Sequence, residues 1–245
     1  MRNNRRIRRG LTTYRLKWIA VFSMVADHIG IVFFPKILLF RYIGRIAFPV
    51  FAFLLVEGFF HTRDVVRYLT RLGIFAVLSE IPYDLVFQGK ILEFSHQNVF
   101  LTLFLGVFMM YQMSMPGKWQ IKSVKTLLIM WVASVLHVDY SYMGILLIFI
   151  YYEMHRCRMT AMQDNAERNQ TNDSGNYMAG NRSGMWFVLS GLWNFLWPGN
   201  VQYYGVMAAP LILLYNGERG KKSKYFFYAF YPVHLMIIYI FYRYI

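Results

Sequence analysis

The sequence is short of the features that organise most soluble enzymes. It has one cysteine, Cys157, which excludes a disulfide within the chain and a cysteine-based metal cluster. It has no glycine-rich phosphate loop, no HExxH helix and no GxSxG elbow. The common signatures of nucleotide hydrolysis, zinc proteolysis and serine-type acyl transfer are therefore missing. Acidic residues are few, with 12 Asp and Glu against 26 Lys and Arg. Charge of either sign makes up 16% of the chain, below the roughly 25% usual in a soluble domain.

In place of charge there is apolar length, with 57% of residues hydrophobic and 19% aromatic. A membrane-spanning helix needs about 20 mostly apolar residues. Segments near 16–35, 37–60, 65–87, 97–114, 121–137, 141–154, 185–199, 203–216 and 225–244 meet or approach that length. They predict an all-α, polytopic transmembrane helix bundle of about nine helices, forming a single domain over 1–245. The polar stretch 160–184 lacks the apolar residues needed for a packed core and is expected to be a disordered cytoplasmic loop within that domain. The basic start (Arg2, Arg5, Arg6, Arg8, Arg9) leads straight into a full-length apolar span with no small-residue cleavage site, so no cleavable signal peptide is expected.

The net charge of +14 would suggest nucleic acid in a soluble protein. Here its distribution favours a membrane and no nucleic-acid partner. If the N-terminus lies inside and the spans alternate, all but five of the 26 basic residues fall on the inner side. They occupy 1–17, 61–71, 117–125, 155–184 and 217–224, and the exceptions are Lys36, Arg41, Arg45, Lys90 and Arg243. Lys and Arg concentrate in cytoplasmic loops, so the N-terminus is placed in the cytoplasm and the C-terminus outside.

The polar residues inside the spans are the candidates for chemistry, because an ionisable group at mid-bilayer costs at least ~2.5 kcal/mol. Asp27 lies about 17 Å past Leu16 at the helical rise, just beyond the midplane, with His28 next to it. Arg41 and Arg45 sit one turn apart in the outer half of the second span. Glu80 and Asp84 share that depth on the third span, around Pro82, and Gln97 and Asn98 open the fourth. His137 and Asp139 close the fifth, and His234 follows Pro232 near mid-depth of the last span. These residues come from different helices but share one half of the membrane. Arg41 or Arg45 paired with Glu80 or Asp84 is one arrangement they allow. A histidine at that depth beside a carboxylate can act as a general base near neutral pH. Glu57, in the inner half, most simply pairs with Arg67 or Arg71. The many Phe, Tyr and Met residues fit lipid-facing surface and helix packing.

The runs LKWIAVFSMVADHIG (16–30), RYIGRIAFPVFAFLLVEGFFHTRDVVRYLTRL (41–72), SEIPYDLVF (79–87), QNVFLTL (97–103), YSYMGIL (140–146) and FYPVHL (230–235) resemble the TraX family. The resemblance covers nearly all of the chain outside 160–184. TraX is named for the protein that acetylates the N-terminus of F-type conjugative pilin, and the family looks related to larger multi-helix membrane acyltransferases. The resemblance implies a bacterial cytoplasmic membrane, cytoplasmic acetyl-CoA as donor with no metal, and a membrane or envelope acceptor. That acceptor would be a pilin-like N-terminus or a cell-envelope glycan or lipid.

Under that implication His28 is the base, Asp27 orients or charge-stabilises it, and Arg41 and Arg45 stabilise the oxyanion or hold the acceptor. Glu80, Asp84, Asn98, His137 and Asp139 are candidates for substrate binding or charge stabilisation. His234 is the rival base, reaching similar depth from the other end of the chain. The alternative from a different class is a proton- or solute-coupled transporter in which Asp27, Glu80 and Asp84 carry protons.

Overall fold

A computed structural model of the chain describes residues 10–171, 178–197, 200–221 and 224–244. The described residues are helical, in the order α1 (Thr13–Phe33), α2 (Leu38–Gly44), α3 (Ala47–Phe60), α4 (Val65–Phe87), α5 (Val99–Ser114), α6 (Trp119–Val135), α7 (Ser141–Thr171), α8 (Met178–Leu192), two 3₁₀ turns (Trp193–Phe195 and Asn200–Met207), α9 (Ala208–Leu213) and α10 (Lys224–Tyr244). An all-α bundle follows, as the apolar segments require.

Three described stretches are long and apolar enough to cross a membrane: Thr13–Phe33, Leu38–Phe60 and Tyr225–Tyr244. Large apolar side chains such as Val77 on α4 and Leu127 and Trp131 on α6 face outward, the pattern of helices solvated by lipid rather than water. This is a membrane protein.

Helix starts are set by local chemistry. Thr12 caps α1 by accepting from the Arg15 N–H, Asp64 caps α4 through Arg67 N–H at 2.9 Å, and Asn98 caps α5 through Phe100 N–H at 3.0 Å. Each satisfies a backbone donor that the first turn leaves free. The second span is one crossing in two pieces. Pro49 has no N–H to return to the Arg45 carbonyl four residues back, and the helix loosens at Arg45–Ile46 between α2 and α3.

Chain connections mark two ends of the bundle. At one, the Leu11 N–H donates to Leu214 O at 2.7 Å and the Thr13 N–H to Glu218 O at 2.8 Å, tying the start of α1 to the α9–α10 connection. At the other, Gln97 N–H donates to His137 O at 3.1 Å and Asp139 N–H to Gln97 O at 3.0 Å. The core lies along α3, α5 and α7, through Val50, Ala52, Val107, Met109, Ile145 and Ile148.

Two expectations change. The stretch expected to be a loop from 160 is helical as far as Thr171, because α7 runs on without a break. No Gly or Pro interrupts 145–171, and extending an existing helix is far easier than nucleating one. Low hydrophobicity predicts exposure there, not loss of helix. The 172–177 part of that expectation lies outside the described residues, and its last part, 178–184, is the start of α8. The expected eighth span resolves into the second 3₁₀ turn and the short α9, less than a full crossing.

Candidate functional site

The site begins where α1 and α2 meet. Gly44 lies so close to Asp27 that a Cβ there would overlap the carboxyl group, and Gly30 is pressed in the same way against Phe40. This close approach brings Arg41 of α2 and Arg45, just past its end, onto Asp27. Arg45 Nη2 donates to Asp27 Oδ2 at 2.5 Å, and Arg41 Nη1 stands 3.4 Å from the same carboxylate. One buried carboxylate is therefore bracketed by two guanidinium groups.

This corrects two expectations. Asp27 faces the arginines rather than orienting His28, as the roughly 100° between adjacent helical residues allows. Arg41 and Arg45 take Asp27, not Glu80 or Asp84, because α2 packs on α1 and on the 200–207 turn.

His28 has a different partner. Its Nδ1 lies 2.8 Å from His234 Nε2, with the ring planes within 8°. His234 Nδ1 is 2.9 Å from the Phe230 carbonyl, four residues back on α10. A carbonyl only accepts, so His234 Nδ1 carries a hydrogen and, in the neutral ring, Nε2 is an acceptor. His28 must then donate from Nδ1, which leaves His28 Nε2 with its lone pair free. The two histidines that the sequence sets up as rivals form a single relay. His28 lines the central cavity and His234 stands behind it.

That cavity encloses about 770 Å³ and runs along the bundle in three zones. Near the start of α1 it is basic, lined by Lys17, Arg63, Arg71, Arg219 and Lys221. The middle is apolar and aromatic, with Met24, Phe51, Leu55, Leu72 and Phe100. The far zone holds Asp27, His28, Arg41, Arg45, Asp139 and Tyr140. From Lys17 to His28 is about 17 Å along α1 at the helical rise.

Of the sequence candidates, Asp27, His28, Arg41, Arg45 and Asp139 thus share one cavity wall, with His234 directly behind. Four others are elsewhere. Glu80 takes a hydrogen bond from the Asn98 side chain, which also donates to Ala76 O at 2.8 Å. Asp84 accepts from the Glu93 N–H at 2.8 Å. These ties fix the 88–98 loop to α4. His137 is exposed in the α6–α7 turn, at φ 47°.

Two features escape the sequence. Glu57 is held by His155 Nδ1 at 2.8 Å and by the Tyr215 hydroxyl at 3.3 Å, not by Arg67 or Arg71, and Arg67 instead pairs with Asp64 at 3.0 Å. Tyr140, held at φ 62°, stacks on Phe48 with ring centroids 3.8 Å apart and closes the far zone. Its signals in the sequence were its position just after Asp139 and at the head of the run YSYMGIL.

The sequence model of the family described as TraX protein matches residues 13–242. A protein of Dichelobacter nodosus described as probable fimbrial assembly protein FimC, serogroup H1, is 26% identical over 244 residues, covering 93% of this chain and 94% of that protein. An uncharacterized protein of Rickettsia prowazekii (strain Madrid E), RP591, is 34% identical over 91 residues, covering 37% of this chain and 33% of that protein. No solved structure matches the chain.

Proposed function

The chain belongs to the TraX family, and from that premise and the cavity we propose that it is a multi-pass acetyltransferase of a bacterial cytoplasmic membrane. It moves an acetyl group from cytoplasmic acetyl-CoA to an amine or hydroxyl of a membrane or envelope acceptor. The likeness to a fimbrial assembly protein makes a pilin-like subunit the first acceptor to test. The basic end of the bundle faces the cytoplasm, by the distribution of Lys and Arg.

The observation that carries this reading is the histidine relay at the inner end of a passage that starts among cations. His28 Nε2 takes the proton of the acceptor as the acceptor's nitrogen or oxygen bonds to the thioester carbonyl carbon. The carbonyl oxygen becomes an oxyanion beside Arg41 and Arg45, the two cations of the far zone. As the carbonyl re-forms, the carbon–sulfur bond breaks. The coenzyme A sulfur leaves as thiolate and takes the proton from His28. His234 is a positioning residue: it fixes the tautomer of His28 and accepts from the imidazolium that forms. The transporter alternative has less to stand on, because Glu80 and Asp84 lie off the cavity and Asp27 is bound by two arginines.

The test uses the full chain in nanodiscs, with radiolabelled acetyl-CoA and membranes from cells lacking the gene. Label should pass to a membrane component. His28→Ala should slow transfer by about 10²–10⁴-fold, and His234→Ala by less. Wild-type turnover in His28→Ala, or no transfer by the native chain, would reject the proposal.

A further inference from the structure

Resting on that reading, we propose that the basic mouth of the cavity is a phosphate site that binds the nucleotide end of the donor and selects CoA thioesters over thioesters that lack a nucleotide. Five cations line this zone, Lys17, Arg63, Arg71, Arg219 and Lys221, and Glu57 is the carboxylate that lines it with them. Glu57 is itself engaged by His155 and Tyr215. Orientation in the membrane needs basic residues in cytoplasmic loops, but it does not need them to converge on one cavity.

Arg71 points most directly to a ligand. It stands two turns inside α4, about 9 Å from the helix start at the helical rise. It sits over the Tyr68 ring at 5.7 Å and its guanidinium meets the Tyr228 hydroxyl, while its Nε is buried without a hydrogen-bond partner. A buried guanidinium donor without an acceptor is costly, and a phosphate oxygen would satisfy it in the fork geometry that arginine offers. Arg219 is braced by donating to the His61 carbonyl at 3.2 Å, and Lys17 lies 5.2 Å from the Phe227 ring. The zones follow the order of the donor's parts. Cations meet the phosphates, the apolar middle takes the neutral arm, and the relay meets the thioester.

Anionic lipid headgroups offer the same phosphate chemistry at this end of the bundle, so the experiment separates the two sources. Binding of adenosine 3′,5′-bisphosphate is measured by calorimetry on the full chain, in nanodiscs of neutral lipid and again with phosphatidylglycerol. Native protein should bind in both, and Arg71→Gln should weaken binding at least tenfold, with Arg71→Lys restoring part of it. In turnover, Arg71→Gln should raise KM for acetyl-CoA at least tenfold and move KM for S-acetylpantetheine, which carries no nucleotide, far less, with kcat little changed.

Equal KM shifts for the two donors would overturn the proposal. So would binding of phosphatidylglycerol without the bisphosphate, which assigns the mouth to lipid. Nucleotide binding that Arg71→Gln weakens in a chain that transfers no acetyl group would keep the phosphate site and reject the transferase.

Discussion

Asp27 and Glu57 are equally buried, each 8% exposed, and each lines the same cavity, yet they are satisfied in opposite ways. Asp27 takes two guanidiniums from the helix that follows it in the chain. Glu57 takes an imidazole 98 residues away and a phenol 158 residues away. Guanidinium stays charged at any working pH, whereas imidazole and phenol can donate while neutral. The far zone therefore holds two permanent cations, Arg41 and Arg45, beside Asp27 and Asp139. The basic zone, the neck of the cavity, keeps a carboxylate that ties α3 to α7 and to the residues after α9. Equal burial does not make equal sites; the partners decide which carboxylate sits among permanent charges and which among donors that can be neutral.

The sharpest way to break this contrast is to remove Arg45. Its side chain is 14% exposed and that of Asp27 is 11%, so the pair is nearly dry. Arg45→Ala should destabilise the protein by about 3 kcal/mol or more, since a buried charge loses its closer partner. The measurement is reversible unfolding of the purified chain in mixed detergent. The double change Asp27→Asn with Arg45→Gln should be milder than the two single costs together by more than about 1 kcal/mol, whereas Arg45→Gln combined with Glu80→Gln should be additive. Additivity in the first pair would dissolve the far-end cluster.

What the sequence could and could not say about these regions has a geometric reason. Counting residues along a span gives depth, and depth placed Asp27, His28, Arg41, Arg45, Asp139 and His234 in one half of the bundle. It gives no information on which helices are neighbours. Glu80 and Asp84 share the depth of Arg45, but α4 packs on α5 and α10, where Asn98 and the Glu93 N–H meet them. The relay joins residues 206 apart, and no local pattern encodes that contact. Composition also misjudged 160–171, because polarity speaks to burial and leaves helix propagation untouched. Pro49 was legible in principle: a proline in a span marks the carbonyl four residues back, here that of Arg45.

A smaller effect is expected at the neck. Glu57→Gln keeps one acceptor and the shape of the side chain while removing its charge. If His155 and Tyr215 need only an acceptor, the loss should be about 1–3 kcal/mol in the same unfolding assay, smaller than that of Arg45→Ala. A loss equal to or larger than the Arg45→Ala loss would mean the neck depends on ionic pairing as much as the far zone does, and the contrast would fail.

The smallest effect tests whether the phenol acts as a single neutral donor. The Tyr215 hydroxyl donates to Glu57 Oε2 at 3.3 Å and lies 3.1 Å from Thr13 Oγ1, at the long end of hydrogen-bond geometry. Tyr215→Phe removes only that oxygen. The ring keeps its edge contact with Phe53, centroids 5.3 Å apart, and the adjacent backbone bond from Leu11 N–H to Leu214 O remains. The expected cost is about 0.5–1.5 kcal/mol, the net worth of one hydrogen bond. It should shrink further in a Glu57→Gln background, because an amide oxygen accepts a neutral donor more weakly than a carboxylate does. A cost near that of Arg45→Ala, unchanged in the Glu57→Gln background, would show that Tyr215 supports the packing of the α1 start against the α9–α10 connection and does not serve the carboxylate at all.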